Sequence, residues 1–578
     1  MVGIIIANVI MFAALLIIIT VIAILPASTP RIPENSLYCL KLEGGIVERK
    51  IESPLEAFFP SDFRETGLNQ ILKSIEKARD NSAIKGIYID AGNFTASPAS
   101  LEEIRQALVN FKSSGKPVIA YGENYSQSAY YLCSAADKTY LHPYGRIDWK
   151  GMASTPVFYT DLLDKLGIRM QIFKVGSFKS AVEPFSGTSM SKENKAQTEA
   201  YLKSIWSVIV DNISASKNIS PVLLNRYADE YLALAPAEKC IEYGLVDSLL
   251  YIDQVKKELE IVAGKSTKGK ISLVFTEDMT NIPDNANLKQ TENTIGLYYA
   301  CGQIGGVSEN YSQTGIDADK MCRDLASLRS DDNIKAVVVR VNSPGGSAFD
   351  SEKIWREMKL LADTKILVVS MSDYAASGGY YISSPAHAIV ARSTSITGSI
   401  GIFGMVPDIS ELFNDKLGLH VDLVKTNLHT DLGIVNRGFD SDESAMVQAE
   451  VERGYELFLK RCSEGRGIEL EELRLLAEGK VWTGQMAAEI GLIDTIGGLA
   501  DAVDIARNLA ELESFSLVEY PAPEPFLHSL INNTRSHYFN NRMKRELGFL
   551  YEPFRIINSV ANMDRIQALT LQSVPIKL

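Results

Sequence analysis

The feature that most constrains this chain is that it carries one α/β pattern twice. Ala83-Ile84-Lys85-Gly86-Ile87-Tyr88-Ile89-Asp90 parallels Asn333-Ile334-Lys335-Ala336-Val337-Val338-Val339-Arg340. In the same order, Lys165-Leu166-Gly167-Ile168 parallels Lys416-Leu417-Gly418-Leu419, and Tyr243-Gly244-Leu245-Val246-Asp247 parallels Ile490-Gly491-Leu492-Ile493-Asp494. In each copy, apolar runs of buried-strand length alternate with helical patterns, which predicts βαβ units and a mostly parallel sheet. At 578 residues the chain is too long for one core, so the expectation is two tandem α/β domains made by internal duplication. The first copy is expected over 36–265 and the second over 294–512. Residues 266–293, rich in Lys, Asp, Asn and Thr, read as a linker, with a strand at 271–275 as an alternative. The tail, 513–578, turns Pro-rich at Pro521, Pro523 and Pro525 and is expected to form surface helices for contact between subunits or, less favoured, for the membrane surface.

The copies differ where chemistry would sit. In the second, the apolar run Ile366-Leu367-Val368-Val369 leads to Ala375-Ala376-Ser377-Gly378-Gly379-Tyr380 and a helix-like segment. A strand-to-helix turn of small residues exposes a hydroxyl, lets a substrate backbone approach, and offers the free N–H groups of a helix start, Gly378 first, where negative charge develops. About thirty residues upstream, Ser343-Pro344-Gly345-Gly346 closes a second strand, and its Gly345 and Gly346 amides are candidate oxyanion donors. In the first copy Thr95 and Ala96 stand opposite those glycines, and Gln127 stands opposite Ser377 once the Tyr130-Tyr131 and Tyr380-Tyr381 pairs are matched; a one-residue gap would bring Ser128 there instead. Conversely, Lys179 of the first copy falls on Thr430 of the second. Taken singly, each of these residues has an ordinary reading as a turn residue or a solvated lysine.

Four strings in order, Phe178-Lys179-Ser180-Ala181-Val182-Glu183-Pro184-Phe185, Ser343-Pro344-Gly345-Gly346, Ala376-Ser377-Gly378-Gly379-Tyr380 and Thr397-Gly398-Ser399-Ile400-Gly401, resemble the signal peptide peptidase A (protease IV) family in its long two-copy form. The resemblance covers nearly the whole chain. It implies crotonase-like and Clp-protease-like domains and a Ser/Lys-dyad serine protease with Ser377 as nucleophile, Lys179 as general base and Ser399 orienting the lysine. It also implies signal peptides and other apolar peptides as substrates, a homo-oligomer such as a tetramer, and a bacterial inner-membrane location with the catalytic body on the periplasmic side. The chain departs from the family pattern at Ser186-Gly187-Thr188, which bears on substrate preference more than on catalysis. A lysine at its solution pKa is protonated at neutral pH, so such a base must be desolvated. An interface between the copies supplies that burial.

Composition narrows the alternatives. A net charge of −13 argues against nucleic acid as a partner. Residues 4–25 hold no charge, and as a helix they run about 33 Å, which predicts an N-terminal transmembrane helix within 1–30 rather than a cleaved signal. The six cysteines lack C-x-x-C spacing and read as core residues, with a disulfide left open. No metal-ligand cluster and no cofactor motif appears, and His387, in Pro385-Ala386-His387-Ala388, is poorly placed for a triad with Ser377. Two other classes remain: a crotonase-like acyl-CoA hydrolase or isomerase, and a non-catalytic membrane scaffold.

Overall fold

The computed structural model describes residues 32–50, 65–264, 271–282, 293–305, 315–522 and 566–569. The expected N-terminal anchor lies outside them. Among the described residues no helix is long and apolar enough to cross a membrane.

Each copy builds a mostly parallel sheet on a common plan. In the first, the order is Glu65–Gly67, Ser36–Val47, Ile84–Thr95, Val118–Gly122, Lys138–Leu141 and Ser248–Leu249. In the second, Ser516–Tyr520, Thr294–Cys301, Ile334–Ser343, Ile366–Ala376, Ala388–Ala391 and Thr495–Ile496 lie side by side, all parallel. The runs are apolar rather than alternating because both faces are covered: Ala336, Val337, Val338, Val339 and Val341 are all 0% exposed. The covering helices are amphipathic. Leu68–Asp80 buries Leu68, Ile71, Ile75 and Ala78, the spacing of one helical face.

Two boundaries differ from the sequence expectation. Ser272–Val274, inside the segment read as linker, pairs in parallel with Ser36–Tyr38, and Tyr38 Oη bonds Thr276 Oγ1 at 3.0 Å. This short strand is the counterpart of Ser516–Tyr520, which pairs with the matching strand of the second copy. Each unit therefore ends with an edge strand; in the first copy it is the strand offered as an alternative at 271–275. The tail expected to be helical forms strands instead among the described residues, Ser516–Tyr520 and Ile566–Leu569. Ser516-Leu517-Val518-Glu519-Tyr520 is β-prone, and an open parallel edge satisfies its backbone better than an isolated helix would.

Two of the contacts that join the copies fix how they meet. Arg169–Lys174 of the first runs antiparallel to Phe403–Asp408 of the second over six residue pairs, above an apolar cluster of Leu163, Val182, Phe185, Phe403 and Met405. Elsewhere Arg340 of the second copy, fully buried, donates from Nε to Glu48 Oε1 at 2.6 Å and from Nη2 to Glu103 Oε2 at 2.7 Å, both on the first. Burial pushes the Glu48 carboxyl above its ordinary range. At Glu103 burial acts the same way but is outweighed by Arg340 and Arg392, which hold that carboxyl down. Removing Arg340 would strand two buried carboxylates, so the cluster fixes one mutual placement of the copies. All six cysteines are free thiols.

Candidate active site

Ser377 sits where strand Ile366–Ala376 meets helix Gly378–Ser383, with φ 54° and ψ −116°. A non-glycine residue in that conformation is strained, and its neighbours hold it: Ser377 N donates to Gly398 O at 2.8 Å and Tyr381 N to Ser377 O at 2.8 Å. The turn packs tightly on the Pro-Gly-Gly turn, since a Cβ on Gly379 would lie 2.6 Å from Ser343 O. Ladder register puts Ser343 beside Ala375, so Gly345 and Gly346 stand next to the serine turn. Gly345 has φ 100°, and a Cβ on Gly346 would lie 2.0 Å from Ile304 O, so this turn admits only glycine.

Lys179 reaches this turn from the other copy. It follows strand Arg169–Lys174, whose pairing with Phe403–Asp408 carries the chain across the interface. Its Nζ lies 2.8 Å from Ser377 Oγ, 3.1 Å from Ser399 Oγ and 3.2 Å from Ser399 O. Lys179, Ser377 and Ser399 are 1%, 0% and 2% exposed. Among the described residues no carboxylate pairs with the lysine, and burial alone drives its amine well below the ordinary lysine pKa. Ser399 has φ 50°, and its N donates to Lys480 O at 2.7 Å, which fixes the hydroxyl beside the amine.

The structure thus brings together Ser377, Lys179 and Ser399, with Gly345, Gly346 and Gly378 around them. Gly378 opens the six-residue helix, so its N–H lies at the turn itself. His387 is elsewhere: its Nδ1 accepts from Leu367 N at 3.1 Å near the start of the strand that ends at Ser377, about 30 Å away at strand rise. No group of metal-ligating side chains occurs among the described residues. Sequence reasoning missed the support around Lys179, Gly401 and Gly479 above all. A Cβ on Gly479 would lie 2.7 Å from Lys179 Cβ, and one on Gly401 3.3 Å from its Cδ. It also missed Arg340, for which a signal existed: a charge in the middle of Val337-Val338-Val339-Arg340-Val341.

The backbone of Ile566–Leu569 adds a strand to this region, antiparallel to Gly345–Ser347 on one side and to Phe403 and Gly404 on the other. An extended chain therefore fits between the glycine turn and the strand that crosses to the first copy.

Comparison with known proteins agrees with the duplication. Residues 110–265 and 359–513 each match the model described as "Peptidase family S49", and residues 308–394 match "Clp protease". "Protease 4" of Haemophilus influenzae is 36% identical over 465 residues, covering 79% of this chain and 75% of that protein. "Protease 4" of Salmonella typhi is 35% identical over 478 residues, covering 81% and 76%. "Serine protease SPPA, chloroplastic" of Arabidopsis thaliana is 29% identical over 544 residues, covering 93% and 78%.

Proposed function

Because the chain belongs to peptidase family S49 and is a serine protease of the SppA type, we propose that Ser377 is its nucleophile and Lys179 its general base. The observation that carries this is the 2.8 Å contact between a buried amine from one copy, with no carboxylate partner among the described residues, and a strained serine hydroxyl from the other. Neutral Lys179 takes the Ser377 proton as Oγ bonds to the scissile carbonyl carbon, and the carbonyl electron pair moves onto oxygen. N–H groups of Gly346 and Gly378, with the Gly345 turn behind them, stabilise that oxyanion. The lysine ammonium then protonates the departing amine as the C–N bond breaks. Lys179 next deprotonates a water as its oxygen bonds to the acyl carbon, then returns that proton to Ser377 Oγ as the C–Oγ bond breaks, releasing the acid and restoring the neutral amine. Ser399 orients the amine between these transfers.

The substrate chain enters as an added strand, in the place Ile566–Leu569 takes beside Gly345–Ser347, so main-chain bonds give affinity and side-chain pockets give selectivity. Signal peptides and other apolar peptides are the proposed substrates. The proposed setting is the bacterial inner membrane, with residues 4–25 as anchor, the body on the periplasmic side, and a homo-oligomer as the working form. The acyl-CoA reading has no use for the Lys179 and Ser377 contact, and a scaffold has no use for a strained serine. A fluorophosphonate probe and a synthetic signal peptide test the proposal together. The expected result is a single adduct on Ser377 and mass-resolved internal cleavage, both lost in Ser377→Ala; an adduct on another serine, with cleavage retained, overturns it.

A further inference from the structure

Resting on the Ser/Lys reading above, we propose that Gln197 is a positioning residue for the reaction: its amide clamps the peptide that carries Lys179 to the second copy and so sets the amine against Ser377. Gln197 lies in the second turn of helix Lys192–Lys217 of the first copy and is 3% exposed. Its Nε2 donates to Phe178 O at 3.0 Å and to Ser180 Oγ at 2.9 Å, on either side of Lys179. Its Oε1 accepts from Val481 N at 3.2 Å. Val481 opens a strand of the second copy that is paired, residue for residue, with Gly398, the neighbour of Ser399.

One side chain therefore bonds both flanks of the lysine and the strand that sets the hydroxyl beside it. The Phe178 peptide is gripped at both ends, because its N–H donates to Glu478 O at 3.0 Å while its carbonyl is held by Gln197. Across the same contact, Gly479 N donates to Ile400 O at 2.8 Å, and Gly479, at φ 75°, leaves no room for a Cβ against Lys179. The lysine is thus clamped between Gln197 and the Glu478-Gly479-Lys480 turn. The roles require an amide: a carboxylate cannot donate to Phe178 O, and an apolar side chain can neither donate to it nor accept from Val481 N. The charged groups facing this contact are otherwise engaged. Lys480 Nζ lies 4.0 Å from the centre of the Trp482 ring, Glu183 binds Ser191 and Asn194, and Glu478 takes part through its backbone.

Loss of the clamp frees a buried lysine to drift and admits water to its amine, and a displacement of about 1 Å costs on the order of a hundredfold in rate. Gln197→Met, of similar volume, should lower kcat by tenfold or more with KM little changed, since the strands that seat substrate are untouched. The acid limb of its pH–rate profile should move to higher pH, because a hydrated lysine holds its proton more tightly. Gly479→Ala pushes on the lysine from the opposite side and should give the same signature. The full chain in detergent is used, with fluorophosphonate titration to count competent sites and thermal unfolding to check folding. A wild-type kcat in Gln197→Met, or a lowered kcat on an unshifted pH profile, overturns the clamp; if Gln197→Met does not fold, the same two outcomes are read on Gly479→Ala. Lys179→Met separates this from the reading beneath it. If that variant keeps activity, the dyad itself fails; if it is dead while Gln197→Met is normal, only the clamp fails.

Discussion

The same turn of the fold is built in both copies and used in opposite ways. In the second copy the residue after the strand is Ser377, strained at φ 54° and aimed at an amine from outside its own domain. In the first, Gln127 begins a helix behind the relaxed N-cap Ser126, at φ −65° and ψ 162°. Gln127 Oε1 accepts from Lys150 N and Gly151 N, each at 3.0 Å, and Nε2 donates to Gly151 O at 3.0 Å. Gly151 matches Gly401, whose carbonyl lies 3.4 Å from Ser377 Oγ. The first copy has thus closed its hollow with a satisfied amide, while the second keeps a hydroxyl there and waits on a lysine. At this turn the strain is kept in the copy that carries the serine and is absent from the other.

The lysine side shows the reverse contrast. Arg169–Lys174 is paired and its apolar residues sit in the interface cluster, whereas the matching stretch, 420–425, is not paired and exposes Val421 at 57% and Val424 at 96%. The match to Phe403–Asp408 in the first copy, 153–158, is also outside any strand, with Val157 58% exposed. One internal interface therefore has both of its counterparts left open, one on each copy, a head-to-tail arrangement that suits a second chain. Such a contact carries no dyad, because Gln127 and Thr430 occupy the two catalytic positions.

The largest effect that would break this comparison is at the serine. Ser377→Ala should reduce peptide hydrolysis by about four orders of magnitude with folding intact, while Gln127→Ala leaves the activity per folded chain unchanged; a matched loss in both, measured as kcat against circular dichroism, contradicts the division of labour. Next is the base. Lys179→Met should abolish turnover, and in the wild type kcat/KM should fall as pH drops through the lowered lysine pKa, because protonation removes the base.

Stability sharpens the same point with the sign reversed. Between the lowered folded pKa and the ordinary lysine value, the unfolded chain binds the proton that folded Lys179 refuses, so the native state gains stability as pH rises through that window. Lys179→Met removes the proton linkage, so denaturant midpoints near neutral pH should hold or rise, and their increase toward alkaline pH should flatten. Gln127→Ala should instead cost about 1–3 kcal/mol at any pH, the price of orphaned buried backbone groups. The smallest effect on catalysis is at the open edges. Val421→Glu and Val157→Glu should each weaken the proposed self-association in light scattering while the dyad still takes a fluorophosphonate.

Ser377, Lys179, Ser399 and the glycine pair, which the structure brings together, stood out in the sequence through a family resemblance carried by four strings in order; taken singly, each had an ordinary reading. The duplication was legible because Ile84–Asp90 and Ile334–Arg340 keep the same strand pattern. Gln197, Gly479, Glu48 and Glu103 were not, because what they do depends on contacts between copies, such as Gln197 with Val481, that no local spacing encodes. The strand Ser272–Val274 was legible only as an alternative within the linker segment, because three residues form a strand only where an edge such as Ser36–Tyr38 is offered to them.

The central claim is that duplication split one site between two copies of a single chain, so that lysine and serine meet in cis. Co-expressing Ser377→Ala chains with Lys179→Ala chains and assaying the purified mixed oligomers for peptide cleavage tests it most directly. A cis site predicts that the mixture is as inactive as either variant alone, since every chain lacks one member of the pair. Recovery of a sizeable fraction of wild-type activity would mean that lysine and serine meet between chains, and would contradict the account.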